Sequence, residues 1–401
     1  MKMAIVSSYS ESCGNAAFTK VLHDSIEFFH KEIDVEVIEL DLTLLQSINR
    51  KVRVKADIHI NDICKKLRSC DVVNIQMEAG LYGTLPHDIV RRFNRLVSAN
   101  EVTSVTLHSP RLISTQSGGR SGIKKLLKLN IKGGIKDLLG DKYRNIHLTV
   151  NKKIIKSTIN NRARIIVHTL RAQKQIKDFF GFERVTVHPL KLVGADYISN
   201  AKTYSDLFDK AGLLDNDILI GMFGYLSAYK GHTDALNALK ILPKNYKLLI
   251  FGRQHPQSLK SDGEVDSYIS RLVNMVRTAN ELENRVLFMG ELNDQDFLDV
   301  VSGVDVAWLP YYENGQDGSG IASICLDLSP RVLCSSSFAF DELFKLVSYK
   351  NVMRFDIGNI LEMALKTKII LGGEAPEKPY GEEHKYSLKT QAEAYVNELT
   401  I

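Results

Sequence analysis

Short apolar runs alternate with amphipathic stretches along most of the chain, and the alternation starts afresh near Ile218. Strands are predicted at Met3–Ser7, Val35–Leu40, Val72–Gln76, Val102–Leu107, Ile146–Val150, Arg164–His168 and Val185–His188. A second set follows at Ile218–Phe223, Tyr246–Phe251, Val286–Met289, Val304–Leu309 and Arg331–Cys334. Helical periodicity lies between them, at Ala16–Lys31, Ile60–Arg68, Pro86–Val97, Gln173–Phe180, His232–Lys240, Asp266–Asn280, Asp294–Val301 and Ala322–Leu328. Strand–helix alternation implies parallel sheets with helices on both faces. A chain of 401 residues exceeds one ordinary core. The loop-rich stretch Gly194–Asn216 separates two expected Rossmann-like α/β domains, 1–195 and 196–375. The remaining 376–401 is expected to end in a helix that packs back on the first domain. Open sheets of this kind take ligands outside the carboxyl ends of their strands.

Composition narrows the function classes. Hydrophobic residues make up 44% and charged residues 25%, ordinary for a globular chain. No apolar run reaches the roughly 18 residues of a membrane-spanning helix. The start, Met1-Lys-Met-Ala-Ile-Val-Ser-Ser, reads as a short strand and not as a secretory leader. Cys13, Cys64, Cys70, Cys325 and Cys334 are odd in number and lack metal-ligand spacing, which fits free thiols in a reducing cytoplasm. The net charge of +5 conceals an asymmetry: 110–165 holds fourteen Lys/Arg against two Asp/Glu, so the rest of the chain is acidic. Positive charge concentrated in this way points to an anionic partner.

Four places carry chemistry. The run Ile218-Leu-Ile220 leads into Gly221-Met-Phe-Gly-Tyr-Leu-Ser-Ala-Tyr-Lys-Gly231. A strand entering a glycine-bearing loop that ends at a helix start suits a phosphate, and Lys230 adds a point charge there. In the first loop, Ser7 to Lys20, Gly14 allows close approach to a helix N-terminus or simply makes a tight turn. The strand in Asp71–Gly83 delivers Gln76 and Glu78 at its carboxyl end, and Val105–Ser109 delivers His108. A single histidine there serves substrate or serves the core.

Taken in register, these blocks resemble the retaining glycosyltransferases of the GT-B fold, specifically glycosyltransferase family 4. The resemblance rests on Cys13-Gly14 with its helix, Ile75–Gly83, Thr106-Leu-His108, and Gly221–Gly231 with Lys230. The strand ending Ile250-Phe-Gly252 and the block Val304–Tyr312 also match, so that about residues 1–345 are covered. It implies two Rossmann-like domains facing across a cleft, and transfer of a sugar from a nucleotide-sugar donor with retained configuration. The first domain would hold a glycan, lipid-linked or protein acceptor, with Gln76 and Glu78 as acceptor-side candidates. The second would hold the donor. Neither metal nor cofactor is expected, and no Asp-x-Asp is read as the seat of a Mg²⁺-bound diphosphate. Lys230 and the backbone near Gly224 would stabilise the leaving diphosphate. His108 would hold the donor sugar, and Gly14 would leave room beside the diphosphate. Tyr225 stands where the family usually offers an arginine, and Arg253 is the substitute. The paired glutamates of many members are missing from Glu313–Asp327. Gly318-Ser319-Gly320 opens a helix there instead and is read as a phosphate cradle or a solvated loop. Asp317, Asp327 and Glu342 are the carboxylates left for the ribose.

The basic stretch 121–140 has Ile123, Leu126, Leu127, Ile131, Ile135, Leu138 and Leu139 at helical spacing, with Lys124, Lys125, Lys128, Lys132 and Lys136 around them. Such a helix lies on an anionic membrane surface or packs on the core with a lysine-rich outer face. Lipid-linked acceptors give the first reading a purpose and place the protein on the inner face of the membrane. Nucleic acid is not an expected partner, because no aromatic residue interleaves with the lysines. Two rivals to the enzyme remain. One is a non-catalytic GT-B partner of an active transferase, favoured by the missing glutamates. The other, a nicotinamide oxidoreductase, lacks its Gly-x-Gly-x-x-Gly fingerprint.

Overall fold

The computed structural model describes residues 1–10, 14–112, 131–194, 212–254, 266–342, 351–373 and 386–400, with 131–145 and 398–400 described as secondary structure alone. Its strands form two six-stranded sheets. The first comprises β1 (Lys2–Ser7), β2 (Asp34–Glu39), β3 (Val72–Met77), β4 (Thr103–Leu107), β5 (Arg164–Val167) and β6 (Val185–Val187), in the order β2-β1-β3-β4-β5-β6. The second comprises β7 (Ile218–Phe223), β8 (Tyr246–Phe251), β9 (Val286–Gly290), β10 (Val306–Leu309), β11 (Val332–Ser335) and β12 (Val352–Phe355), in the order β12-β11-β10-β7-β8-β9. Every pairing is parallel. Both faces of such sheets are covered, which is why Met3, Ala4, Ile5 and Val6 are all fully buried in succession.

The two sheets have different topologies. The second has the dinucleotide-fold order and reverses direction between β7 and β10. The first reverses between β1 and β3, the flavodoxin-like arrangement. In both cases ligand sites belong at the carboxyl ends beside the reversal.

The chain divides into two compact units. Unit 1 is Met1–Lys191 with Gly315–Gly318 and Gly381–Ile401, and unit 2 is Leu192–Asn314 with Ser319–Tyr380. The short segment Gly315–Gly318 therefore groups with unit 1, not with the 196–375 block that surrounds it in sequence.

Several elements differ from the sequence expectation. Ile146–Val150 is not a strand: it lies within the helix Ile131–Asn160. Over 146–160, Val150, Ile154, Ile155 and Thr158 are the buried positions, a spacing that follows one helix face. The helix expected from Ile60 begins at Arg50, where Asn49 caps it by accepting from the Lys51 N–H at 2.9 Å. Strand β12 and the helix Ile360–Gly372 were not anticipated. Residues 113–130 lie outside the described residues, so the basic stretch is represented only by the helical backbone from Ile131. Among the described residues, no helix is long and apolar enough to cross a membrane. Cys64, Cys70, Cys325 and Cys334 are free and buried, and Cys13 lies outside the described residues.

Candidate active site

In unit 1, Leu107 of β4 pairs with Val167 of β5, which pairs with Val187 of β6. The next residue on each strand is a histidine. His108, His168 and His188 thus form a row across three neighbouring carboxyl ends. Nδ1 of His108 lies 3.0 Å from Nε2 of His168, and Nδ1 of His168 lies 2.9 Å from the His188 carbonyl oxygen. Nε2 of His188 meets Thr390 Oγ1 at 3.1 Å. Phe18 stands edge-on to both the His108 and His168 rings. Burial holds His168 and His188 down at about 4. His108 is held well below the usual imidazole range, first by burial and then by His168. The row is neutral at physiological pH.

Gln76 belongs to this row. It is fully buried in β3; its Oε1 lies 2.7 Å from His108 Nε2, and its Nε2 donates to Asn74 Oδ1 at 2.6 Å. Asn74 in turn donates to Ser104 and Thr106, and Thr106 Oγ1 donates to Tyr395 OH at 3.1 Å. Gln76 therefore spends its amide on His108 and Asn74, where an acceptor-side residue would face open space. Both His108 ring nitrogens are likewise occupied by protein groups. Glu78 is half-buried just before the short helical turn Ala79–Tyr82 and makes no side-chain cap; burial raises its carboxyl, opposed by Arg111. Gly14 opens the helix Gly14–Phe29, and a Cβ there would meet nothing within 4 Å.

The second sheet presents different chemistry. β7 ends at Phe223 and the chain turns at Gly224, whose φ of +86° favours glycine. A short 3-10 turn, Ala228–Lys230, and Gly231 then lead into the helix His232–Ile241. Lys230 is only 4% exposed. Its Nζ donates to the Phe223 carbonyl at 2.7 Å and sits 5.5 Å from the centre of the Tyr311 ring. The other two ammonium N–H groups have no acceptor among the described residues. Burial pushes this lysine down to about 8. A Cβ on Gly224 would lie 2.5 Å from Nζ, so the glycine keeps space open beside the charge. The lysine anticipated as a loop group is thus a buried cation between β7 and Tyr311, which follows β10, at the topological reversal of the sheet.

The remaining candidates are less convergent. Arg253 is half-exposed and paired with Glu291 at 3.0 Å. Tyr225 is half-buried and engaged by other protein groups. Ser319 is the N-cap of the helix Gly320–Leu328, its Oγ accepting from the Ala322 N–H at 3.2 Å. Gly320 faces the Leu192 side chain, and Gly318, in unit 1, faces Leu190. Asp317 also groups with unit 1, where it pairs with Arg171 at 2.7 Å. Asp327 and Glu342 are buried.

Two Asp-x-Asp pairs do occur, and neither stands at Lys230. Asp217 precedes β7 at its amino end and accepts from the Leu214 N–H, while Asp294 and Asp296 complete the first turn of the helix Asp294–Gly303 beside the edge strand β9. Among the described residues, three side chains that could share a metal ion meet only at His23, Asp24 and Glu27 on the helix Gly14–Phe29.

No protein-family model matches this chain, and no curated protein matches it in sequence. Solved structures do match. The Anabaena protein Alr3699/HepE in complex with UDP and glucose is 14% identical, with 100% of this chain and 99% of that chain covered at a TM-score of 0.64. Sucrose-phosphate synthase from Thermosynechococcus elongatus is 15% identical, covering 100% and 95% at a TM-score of 0.64. The trehalose-6-phosphate synthase OtsA is 11% identical, covering 100% and 99% at a TM-score of 0.65. The fold is GT-B. The fold likeness covers the whole chain, including the C-terminal helix Leu388–Thr400.

Of the functional candidates, sequence reasoning singled out Lys230, His108 and Gln76 and missed His168, His188 and Tyr311. The signal for the histidines was present: Thr106-Leu-His108, Ile166-Val-His168 and Thr186-Val-His188 end three successive strands in the same way.

Proposed function

We propose that this protein is a glycosyltransferase that moves a sugar from a nucleotide-sugar donor to a glycan, lipid-linked or protein acceptor with retention of configuration. The observation that carries the reading is Lys230, a buried ammonium with two unspent donors beside the open Gly224 turn. A buried cation is costly without a counter-charge, and a diphosphate supplies one. The structural neighbour Alr3699/HepE, solved in complex with UDP and with UDP-glucose, supports a donor of that class.

In this mechanism the C–O bond to the diphosphate breaks as the acceptor hydroxyl attacks from the same face, and the hydroxyl proton passes to the departing phosphate oxygen. Lys230 donates to the departing diphosphate, whose charge grows in the transition state. His108 contacts the transferred sugar. Gly14 leaves room at a helix N-terminus, and Ser319 with the start of its helix adds backbone donors on the donor side. The acceptor approaches from unit 1, and the basic segment 121–140 brings the protein to an anionic membrane surface on its cytoplasmic side. No metal is assigned a role.

A second reading has a specific observation in its favour. Both His108 nitrogens are already hydrogen-bonded within the protein, as in a chain that binds a donor without turning it over. The discriminating experiment incubates the purified protein with UDP-glucose, GDP-mannose and other nucleotide sugars and follows release of nucleoside diphosphate. Release above the uncatalysed rate, lost in His108→Ala, supports the enzyme. Donor binding without release supports the non-catalytic partner.

A further inference from the structure

The carbonyl oxygen of His188 can only accept, and it lies 2.9 Å from Nδ1 of His168. A hydrogen bond there requires the His168 proton on Nδ1. The ring is neutral, so its Nε2 carries a lone pair, 3.0 Å from Nδ1 of His108. Nδ1 of His108 must then be N–H. The reverse order, with the proton on His108 Nε2, makes His168 Nε2 the donor between the rings. It leaves a lone pair on His168 Nδ1 facing the His188 carbonyl oxygen, two acceptors 2.9 Å apart in a buried place.

We propose that His168 is a positioning residue that fixes His108 as its Nδ1–H tautomer, with the lone pair on Nε2. The assignment reaches further. A lone pair on His108 Nε2 calls for the Gln76 N–H₂ group where Oε1 now stands, 2.7 Å away. Turning the Gln76 and Asn74 amides together exchanges nitrogen for oxygen at unchanged positions. Gln76 then donates to His108, Asn74 donates to Gln76, the Ser104 and Thr106 hydroxyls donate to Asn74, and the Tyr395 hydroxyl donates to Thr106 Oγ1, so each of these buried groups keeps a partner. One backbone carbonyl thereby sets the proton order across β6, β5, β4 and β3. Phe18, edge-on to both rings, gives the pair an apolar neighbour, and the two rings are tilted by 33°. The consequence is a specificity: a ligand hydroxyl takes the His108 Nε2 lone pair by displacing the Gln76 N–H₂ group, whereas a carbonyl or phosphate oxygen has no proton to offer it. This consequence rests on the glycosyltransferase reading; the tautomer itself does not.

Long-range proton–nitrogen correlation spectra of the ¹⁵N-histidine-labelled, unliganded protein test it near neutral pH. His108 and His168 are assigned by comparison with His108→Gln and His168→Gln. Pyrrole-type nitrogen at Nδ1 and pyridine-type at Nε2 in both rings is the expected result. Pyrrole-type nitrogen at Nε2 of His108 overturns the proposal, whatever the protein catalyses. His168→Gln can still donate to the His188 carbonyl and accept from His108, so tautomer and kcat should hold to within about threefold. His168→Phe cannot accept; His108 should become a tautomer mixture, and kcat should fall about tenfold or more with KM nearly unchanged, as expected of a displaced orienting group. A His168→Phe protein with the wild-type His108 tautomer overturns the proposal. If that variant does not fold, the wild-type spectrum and the Gln variant still decide.

Discussion

At the carboxyl ends of their strands the two sheets answer burial in opposite ways. The first buries polar side chains in a neutral, closed circuit: His108, His168, Gln76, Asn74 and Thr106 each find their partners within unit 1. The second buries a cation and leaves it short of acceptors, since among the described residues Lys230 meets only the Phe223 carbonyl and the face of Tyr311. A satisfied circuit costs little and holds a geometry. An unsatisfied cation stores a demand for an anion. Affinity for the diphosphate should therefore reside in unit 2, and the placement of a reacting group in unit 1.

The largest effect should come from removing the stored demand. Lys230→Met should weaken nucleoside diphosphate binding at least about a hundredfold, by analogy with loss of one transition-state donor. Titration calorimetry reads this directly. The same variant should melt no lower than wild type near neutral pH, because methionine fills the site without a buried charge. The fold survives for that reason, and not because the lysine is a surface group. A variant with both lower affinity and a lower melting temperature breaks the contrast between the halves.

Gly224→Ala comes next. Its Cβ would fall 2.5 Å from the Lys230 ammonium at a φ of +86°. Backbone strain of about 1–3 kcal/mol and displacement of Nζ should reduce diphosphate affinity roughly ten- to a hundredfold. Unchanged affinity would mean that the space beside the ammonium is not used.

pH separates the halves in a third way. The lowered value of about 8 for Lys230 lies below its ordinary 10.5. Between the two, the unfolded chain holds a proton that the folded chain has lost, so raising pH through this window favours the folded state by up to roughly 3 kcal/mol from this group. Below about 8 both forms are protonated and the full penalty remains. Anion binding has the opposite sense. Affinity should fall up to about tenfold per pH unit above about 8, with proton uptake on binding that is visible in buffers of different ionisation enthalpy. Lys230→Met should abolish that uptake, and His108→Ala should leave it alone.

His108→Ala should lower turnover by about tenfold or more while changing nucleoside diphosphate affinity little. Equal losses in both would move His108 into the binding half. The smallest effect belongs to Arg253. It is half-exposed and already paired with Glu291, and exposed pairs contribute about 0–1 kcal/mol. Arg253→Ala should change diphosphate affinity by less than about fivefold, measured in the same titration.

Much of this contrast was legible in the sequence, because strand ends mark themselves. Ile218–Phe223 followed by glycine, and Thr106-Leu-His108, both read as apolar runs that terminate in chemistry. Four features were not legible. The depth of Lys230 depends on Tyr311, 81 residues away in sequence, and a lysine after two glycines looks exposed. The pairing of His108 with His168 depends on the β4–β5 register, which the intervening basic segment hides. Helix Ile131–Asn160 absorbed an apolar run that mimics a strand, since Ile146, Leu148 and Val150 alternate as strand residues do. Edge strand β12 escaped because Phe355 alone of its residues is fully buried.

Everything above turns on Lys230 as a buried cation awaiting a diphosphate. Calorimetric titration of wild type and Lys230→Met with UDP, GDP and ADP, near neutral pH and without added metal, tests it most directly. At least one of the three should bind the wild type, and Lys230→Met should bind that nucleotide at least about a hundredfold more weakly while remaining folded. Equal affinity of the two folded proteins for the nucleotide, or no binding of any of the three to the wild type, would contradict it.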